Sequence, residues 1–350
     1  MEKGKVLVGL SGGVDSTVAA YLLKQRGYEV IGVTMEMWSG ENSQKAIADA
    51  SRLAGLLGIT HEVLDVREDF SRCVVGDFIE KYQQGLTPNP CIVCNRLVKE
   101  NALLKRAREL GAAHIATGHY ARIERHPKTG RFAIRNSATA TKDQTYALYR
   151  LTQEQLAAML LPIGEYNKDE VRKIAAGIDG FIAKKSDSQD ICFIPDGDYV
   201  AFIEREGGSG TPGDFVDMDG NILGRHRGLM HYTVGQRKGL GIAFGKPMYV
   251  YSMNAEKNQV ILCENDALFR RTVRIGSPAH MAVAEFEDGM RFQAKIRYAH
   301  RAAWCTVKKI GGDMLECTFD EPQRAVTPGQ SLVFYDGEYV AGGGFILQEG

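Results

Sequence analysis

The sequence predicts an α/β protein: an N-terminal parallel sheet wrapped by helices, then a small central domain, then a C-terminal β-barrel. Three observations carry this reading. Strand-like and helix-like stretches alternate through the first 120 residues, a pattern that needs crossover helices and therefore parallel pairing. After about residue 195 that alternation gives way to short β-like runs separated by turns. The 350 residues, 44% of them hydrophobic, suffice for two or three cores. The expected divisions are residues 1–195, 196–273 and 274–350.

Taken in order, Val6–Leu10 is a short apolar strand followed by a glycine-rich turn. Ser16 is placed to cap a helix whose Val18, Ala19, Leu22 and Leu23 fall at helical spacing. Tyr28–Met35 reads as a strand, Ser43–Gly58 as a helix and Thr60–Val66 as a third strand. Asn95–Leu110 is helical, and His114–Thr117 returns to the sheet. Gly207–Gly213 is a loop or linker, with strands expected at Met248–Met253 and Gln259–Cys263. Gly311-Gly-Asp313 joins one hairpin and Asp336-Gly337 another.

Forty-three basic and 43 acidic residues cancel, so a polyanion would have to be met by local patches. There is no run of about 18 apolar residues, hence no membrane span. Met1-Glu-Lys-Gly-Lys-Val-Leu-Val lacks a secretory apolar segment, and the expectation is a cytoplasmic protein. Seven cysteines do not suit a disulfide framework.

The strongest local signal is Gly9-Leu10-Ser11-Gly12-Gly13-Val14-Asp15-Ser16, between first strand and first helix. Glycines let the backbone approach an anion, Ser11 and Ser16 supply hydroxyls, and the helix start adds unpaired N–H groups. The Gly-Lys-Ser/Thr ending of the nucleoside-triphosphatase loop is missing. Asp15 beside phosphate calls for a divalent cation. The loop resembles the signature of the PP-loop ATP pyrophosphatases, which cleave ATP between the α and β phosphates. That resemblance implies ATP with Mg²⁺ as cofactor, with Met35 and Gly118 bordering the adenosine.

Three cysteines stand out. Cys91 and Cys94 lie in Asn89-Pro-Cys-Ile-Val-Cys-Asn95, a Pro-bounded loop before a helix, where a helix start would lower a thiol's pKa. Cys192 lies in Lys184–Pro195, a polar basic segment running into an apolar one. Cys-x-x-Cys alone fits a redox pair, half a zinc site or part of an iron–sulfur site. Cys73, Cys263, Cys305 and Cys317 sit in apolar contexts and read as small core residues.

Together with the loop, several stretches resemble the bacterial tRNA-specific 2-thiouridylases. They are Thr87-Pro-Asn-Pro90, Cys94-Asn95, Ala116-Thr-Gly-His-Tyr120, Lys142-Asp-Gln144, Gln189–Ile194, His231–Gly239 and Pro328-Gly-Gln330. The resemblance implies ATP-dependent 2-thiolation of a tRNA uridine, a tRNA-uridine 2-sulfurtransferase. The base would be the wobble uridine of the tRNAs for lysine, glutamate and glutamine. By the same resemblance Cys192 carries sulfur as a persulfide, and Cys94 is the second catalytic thiol, closing a Cys94–Cys192 disulfide. Asn89, Pro90 and Cys91 would line the flipped base. His119, Lys142, Asp143, Gln144, Arg297, Tyr298 and Gln330 would touch tRNA. The sulfur would come from a cysteine desulfurase, a relay protein or sulfide. Many family members carry Asp at the position of Cys91. Its cysteine makes Cys91, Cys94 and Cys192 a set able to hold three irons of a [4Fe–4S] cluster, an alternative to the persulfide route.

Three windows lack acidic residues and contain Arg125–Lys142, Arg225–Lys246 and Arg291–Lys309, which fits a folded RNA bound through phosphates. The rival readings are another PP-loop ligase or amidotransferase, a non-catalytic ATP- or RNA-binding module, and a redox or zinc protein. Reactive cysteines argue against the first, the Asp15 loop against the second, and the phosphate loop against the third.

Overall fold

A computed structural model describes residues 3–139, 142–185, 191–242 and 245–348, and counts of elements are of these. Gln189 and Asp190 of the Gln189–Ile194 motif lie outside them.

The first sheet is built from β1 (Lys5–Gly9), β2 (Glu29–Glu36) and β3 (Thr60–Asp65), linked by α1 (Val14–Gln25) and α2 (Glu41–Leu57). A helical run follows: α3 (Arg67–Phe70), a π turn, α4 (Gly76–Gln83), then α5 (Pro90–Cys94), a second π turn at Asn95–Lys99, and α6 (Glu100–Glu109). The chain returns through β4 (His114–Ala116), forms the hairpin β5 (Arg122–Arg125) and β6 (Phe132–Arg135), and continues through α7 (Thr145–Leu148) and α8 (Gln153–Ala158). Then come β7 (Met159–Leu160), α9 (Lys168–Ile178) and α10 (Tyr199–Arg205).

The parallel sheet has the order β3-β2-β1-β4-β7. Val6, Leu7 and Val8 are fully buried, Leu7 in one core and Val6 and Val8 in the other. A strand covered on both faces must be apolar at consecutive positions, and each such side chain contributes about 1.5–3 kcal/mol. From β1 the chain winds first toward β3, then returns to β4 on the other side. That reversal leaves a crevice beyond the carboxyl ends of β1 and β4, where open α/β sheets bind ligands.

A four-stranded sheet follows in the order β10-β11-β8-β9, from β8 (Gly213–Val216), β9 (Ile222–His226), β10 (Tyr249–Asn254) and β11 (Gln259–Cys263). The last sheet takes β12 (Phe269–His280), β13 (Arg291–Lys295), β14 (Ala303–Lys309), β15 (Met314–Arg324), β16 (Ser331–Asp336) and β17 (Tyr339–Ile346). It runs β12-β15-β14-β13-β16-β17, and β17 pairs back with β12 to close a barrel. Both expected hairpins are present, β14 with β15 and β16 with β17.

Two features differ from the sequence reading. The β5–β6 hairpin, formed within the expected first domain, is added to the barrel sheet, with Arg135 opposite Tyr339. Ser16 is not a helix cap: α1 begins at Val14 with Gly13 at its cap, and the Ser16 hydroxyl turns back to Ser11 and to the Gly13 carbonyl.

Candidate active site

The glycine-rich loop occupies the crevice. The Leu10 N–H donates to the Val33 carbonyl, and the Leu10 carbonyl accepts from Thr34 Oγ1 at 2.8 Å, fixing the loop's entry to β2. Gly12 has φ +68°, and a Cβ there would stand 2.9 Å from the Ala46 carbonyl oxygen, so glycine is needed. Lys185 Nζ donates at 2.9 Å to both the Gly12 carbonyl and Asp49. A Cβ on Gly118 would lie 2.7 Å from the Asp15 carbonyl carbon and the Ser16 nitrogen. The end of β4 is therefore pressed against the start of α1. Met35 closes the same neighbourhood, its Cε 3.7 Å from where a Gly9 Cβ would stand.

Asp15 Oδ1 accepts from Tyr120 OH at 2.8 Å and from Lys168 Nζ at 2.7 Å. The acid is thus held by a cation already in the protein. Sequence reasoning missed Lys168, because it reaches Asp15 from 153 residues away.

The cysteine motif is helical rather than a loop. Asn89 caps α5, its Oδ1 accepting from the Cys91 N–H at 3.2 Å, with Pro90 in the first turn. Cys91 is exposed, while Cys94 at the end of α5 is 3% exposed. Burial pushes the Cys94 thiol up to about 12, the reverse of the lowering expected at a helix start. Cys192 is exposed, yet nearby protein mass raises its thiol too. It follows Ile191 and precedes Phe193 and Ile194, which pack on the core containing Cys94 and Val98. Cys192 also lines a cavity of about 730 Å³ walled by Trp38, Asp49 and Lys185. Lys185, which holds the Gly12 carbonyl and is itself paired with Asp49, thus brings the Cys192 thiol and the glycine-rich loop into one neighbourhood.

All seven cysteines are free thiols. Among the described residues, no three His, Cys, Asp or Glu side chains gather closely enough to hold a metal ion. The ligand set of the cluster reading is therefore not assembled in this arrangement.

The chain's resemblance extends over nearly its whole length. Family models match residues 4–196 (tRNA methyl transferase HUP domain), 200–264 (tRNA methyl transferase PRC-barrel domain) and 270–346 (aminomethyltransferase beta-barrel domain). A tRNA-specific 2-thiouridylase of Lachnoclostridium phytofermentans is 53% identical over 98% of this chain and 99% of its own. The chain belongs to the tRNA-specific 2-thiouridylase family. A second thiouridylase, from Clostridioides difficile, is 48% identical over 98% of both chains. A solved U34-tRNA thiolase from Methanococcus maripaludis, which carries a [4Fe–4S] cluster, is 19% identical over 59% of this chain and 67% of that one. Its TM-score of 0.36 is too low to say anything of the cysteines here.

The residues expected to touch tRNA divide into two groups. Tyr298, 47% exposed, donates to the Asp143 carbonyl at 2.9 Å. Its hydroxyl is raised by burial and, less strongly, by Asp143 and Cys91. Gln330 Nε2 donates to the Thr87 carbonyl at 2.9 Å, and Thr87 N–H donates to the Pro328 carbonyl. Two sequence motifs 243 residues apart thereby meet beside Asn89 and Pro90. The others have structural partners. Asp143 accepts from Ser137 N–H, Thr145 N–H and Thr145 Oγ1. Gln144 Oε1 accepts from the Tyr120 N–H, and Arg297 donates to the Arg324 carbonyl. Lys142 stands beside Asp143 and acts electrostatically on Tyr298.

His119 Nδ1 is 2.8 Å from Thr117 Oγ1, and burial, with Lys99, lowers the imidazole to about 3, so it is neutral. The acid-free windows are less free than the sequence implies. Arg131 donates to the Met281 carbonyl, Arg135 pairs with Glu124 and Glu338, Arg225 with Asp214, and Arg291 with Asp320.

Glu100 is the least expected group. It is fully buried and neither carboxyl oxygen has a hydrogen-bond partner. Burial raises it to about 8, against a smaller lowering by Lys99. Between the ordinary carboxyl value and about 8, the folded chain keeps a proton that the unfolded chain has lost. Stability therefore falls as pH rises through that window, by up to about 1.4 kcal/mol per unit. In thermal melts from pH 5 to 9, Glu100→Gln is expected to lose less stability than the unsubstituted protein. Parallel curves would refute this.

Proposed function

We propose that this chain catalyses ATP-dependent 2-thiolation of uridine in tRNA, by adenylating the C2 carbonyl oxygen and then transferring sulfur. The observation that carries the reading is the cavity lined by Cys192 together with Asp49 and Lys185, the lysine that holds the Gly12 carbonyl of the phosphate loop. A phosphate loop alone would suit any adenylating enzyme. A thiol in the cavity beside the lysine that holds the loop would supply the sulfur chemistry. Methyl transfer, the activity in two of the family-model descriptions, would leave both features without a purpose.

A uridine C2 oxygen is a poor leaving group until it is esterified. The loop's N–H groups and the Ser11 and Ser16 hydroxyls would receive the pyrophosphate. Asp15, oriented through Oδ1 by Tyr120 and Lys168, has Oδ2 to hold a magnesium ion accompanying ATP; the ion would neutralise phosphate charge. Asn89, Pro90 and Cys91 would border the flipped base. Family membership supports the wobble uridine as that base and the tRNAs for lysine, glutamate and glutamine as the bearers.

The persulfide route suits the arrangement better than a cluster. The terminal sulfur of a Cys192 persulfide adds at C2 and AMP leaves. Cys94 thiolate then attacks Cys192 Sγ, forming a Cys94–Cys192 disulfide and leaving the electron pair on the sulfur bound to C2. The base takes up a proton at N3, and an external dithiol reduces the disulfide. The outer sulfur of that persulfide is passed on by a cysteine desulfurase or a relay protein that already carries sulfur as a persulfide; sulfide would serve as donor only on the cluster route.

The test is nucleoside mass analysis of tRNA incubated anaerobically with protein, ATP, magnesium and a sulfur source. 2-Thiouridine that depends on ATP is expected; pyrophosphate release with no thionucleoside would move the assignment to another PP-loop ligase or amidotransferase. In the same assay Cys91→Ser is expected to keep most of the activity, and anaerobically purified protein to lack iron. Stoichiometric iron with absorbance near 400 nm, and loss of activity in Cys91→Ser, would restore the cluster route.

A further inference from the structure

Between α5 and α6 the helix makes a π turn at Asn95–Lys99, directly after Cys94. In that turn the Glu100 N–H donates to the Asn95 carbonyl, five residues back. In an α-helix the same N–H would serve Arg96, four residues back. The slip takes from the Arg96 carbonyl its α-helical donor, and a carbonyl so placed needs another. The chain supplies one from α8. Gln155 Nε2 donates at 3.0 Å to the Arg96 carbonyl and at 2.9 Å to Asn101 Oδ1. Asn101 Nδ2 in turn donates at 3.2 Å to the Leu97 carbonyl, the next along the turn. Gln155 is 2% exposed, and its Oε1 accepts from the Thr152 N–H at 2.9 Å in the capping box that starts α8. Every polar atom of that side chain is therefore used. The start of the turn is tied as well, Asn95 Nδ2 donating to the Ala147 carbonyl at 3.2 Å.

We propose that Gln155 is a positioning residue for sulfur transfer, a clamp on the π turn that sets the direction in which Cys94 points. A π turn holds one residue more than an α turn. One residue is about 100° of rotation and about 1.5 Å of advance along a helix. Relaxing the turn to α-helix would rotate α5 against α6 by that amount. As the chain stands, Cys94 packs in a core shared with Phe193 and Ile194, the residues that follow Cys192. The clamp keeps the Cys94 thiol on the side where the Cys192 segment packs. The phosphate loop is held by other residues, Val33, Thr34 and Lys185, so the clamp acts on sulfur transfer and not on adenylation.

The inference rests on the sulfur-transfer reading above, and the experiment separates the two. Gln155→Met, similar in size but without the two donors, is compared with the unsubstituted enzyme. A second variant lacks Leu97, an exposed residue of the π turn, which returns the turn to α-helical length with Gln155 intact. Enzyme carrying a Cys192 persulfide is mixed with tRNA, ATP and magnesium for a single turnover. Pyrophosphate, 2-thiouridine and the Cys94–Cys192 disulfide, counted by peptide mass, are followed together, and thermal midpoints report folding. Both variants are expected to release pyrophosphate at close to the normal rate. Both should form 2-thiouridine and the disulfide about 100-fold more slowly, the cost of misplacing a reacting group by about 1 Å or more. Sulfur transfer at the normal rate in either variant would overturn the proposal. So would equal loss of pyrophosphate release and sulfur transfer, which marks a packing role. Where a variant does not fold, Asn101→Ala takes its place. Loss of that one link is expected to slow sulfur transfer about 5-fold with pyrophosphate release unchanged, and an unaltered rate of sulfur transfer would overturn the proposal. Absence of 2-thiouridine with the unsubstituted enzyme would instead count against the underlying function.

Discussion

Serine in place of either Cys94 or Cys192 is expected to abolish 2-thiouridine formation, by on the order of 10³-fold or more, while pyrophosphate release on adding tRNA survives. A hydroxyl in place of Cys192 cannot carry a second sulfur. A hydroxyl in place of Cys94 cannot open an S–S bond. Neither substitution touches the loop that handles ATP, since that loop is held by Val33, Thr34, Lys185 and the close approach of Gly118. The measurement is the pair of products from one reaction, pyrophosphate and thionucleoside. Thionucleoside at the normal rate in Cys94→Ser would remove Cys94 from the mechanism. Loss of pyrophosphate release in both variants would mean that the thiols serve packing.

The second large effect concerns Gly118. Alanine there puts a methyl group 2.7 Å from two backbone atoms of the α1 start, Asp15 C and Ser16 N. Backbone cannot swing aside as a side chain can, so either α1 or the β4 end has to shift. A displacement of about 1 Å in a reacting group's support costs around 10²-fold in rate. Gly118→Ala is therefore expected to lose pyrophosphate release about 100-fold. Gly177→Ala supplies the contrast. That glycine lies near the end of α9 with open space around it, and alanine should stabilise the helix by about 0.5–1 kcal/mol without changing the rate. Equal rates in Gly118→Ala and the unsubstituted protein would show that the loop tolerates the shift.

The phosphate loop was legible because its signal is contiguous: strand, glycines, hydroxyls and an acid within eight residues. The alternation of strands and helices was legible for the same reason. What the sequence concealed depends on contacts between distant segments. Lys168 meets Asp15, and Gln330 meets Thr87, through folding alone. The basic windows misled because counting acids along the chain ignores partners across a sheet: Arg135 finds Glu338, 203 residues away. Burial also reversed an expectation, since position at a helix says nothing of how deeply a thiol such as Cys94 is enclosed.

The hairpin β5–β6 bears on how the molecule is made. Its partner in the barrel, β17, pairs Tyr339 with Arg135 and is therefore synthesised only near the end of the chain. As the ribosome extends the chain, the edge of β6 stays unpaired until nearly the whole polypeptide has emerged, and pairing so distant in sequence is slow to form. An interrupted translation product would hold a phosphate loop but expose a raw strand edge, a feature that invites aggregation. It would also lack Gln330 and Pro328, whose contacts brace Thr87 beside the cysteine helix. A chain whose barrel has not closed therefore lacks the brace on the segment that leads into the cysteine helix.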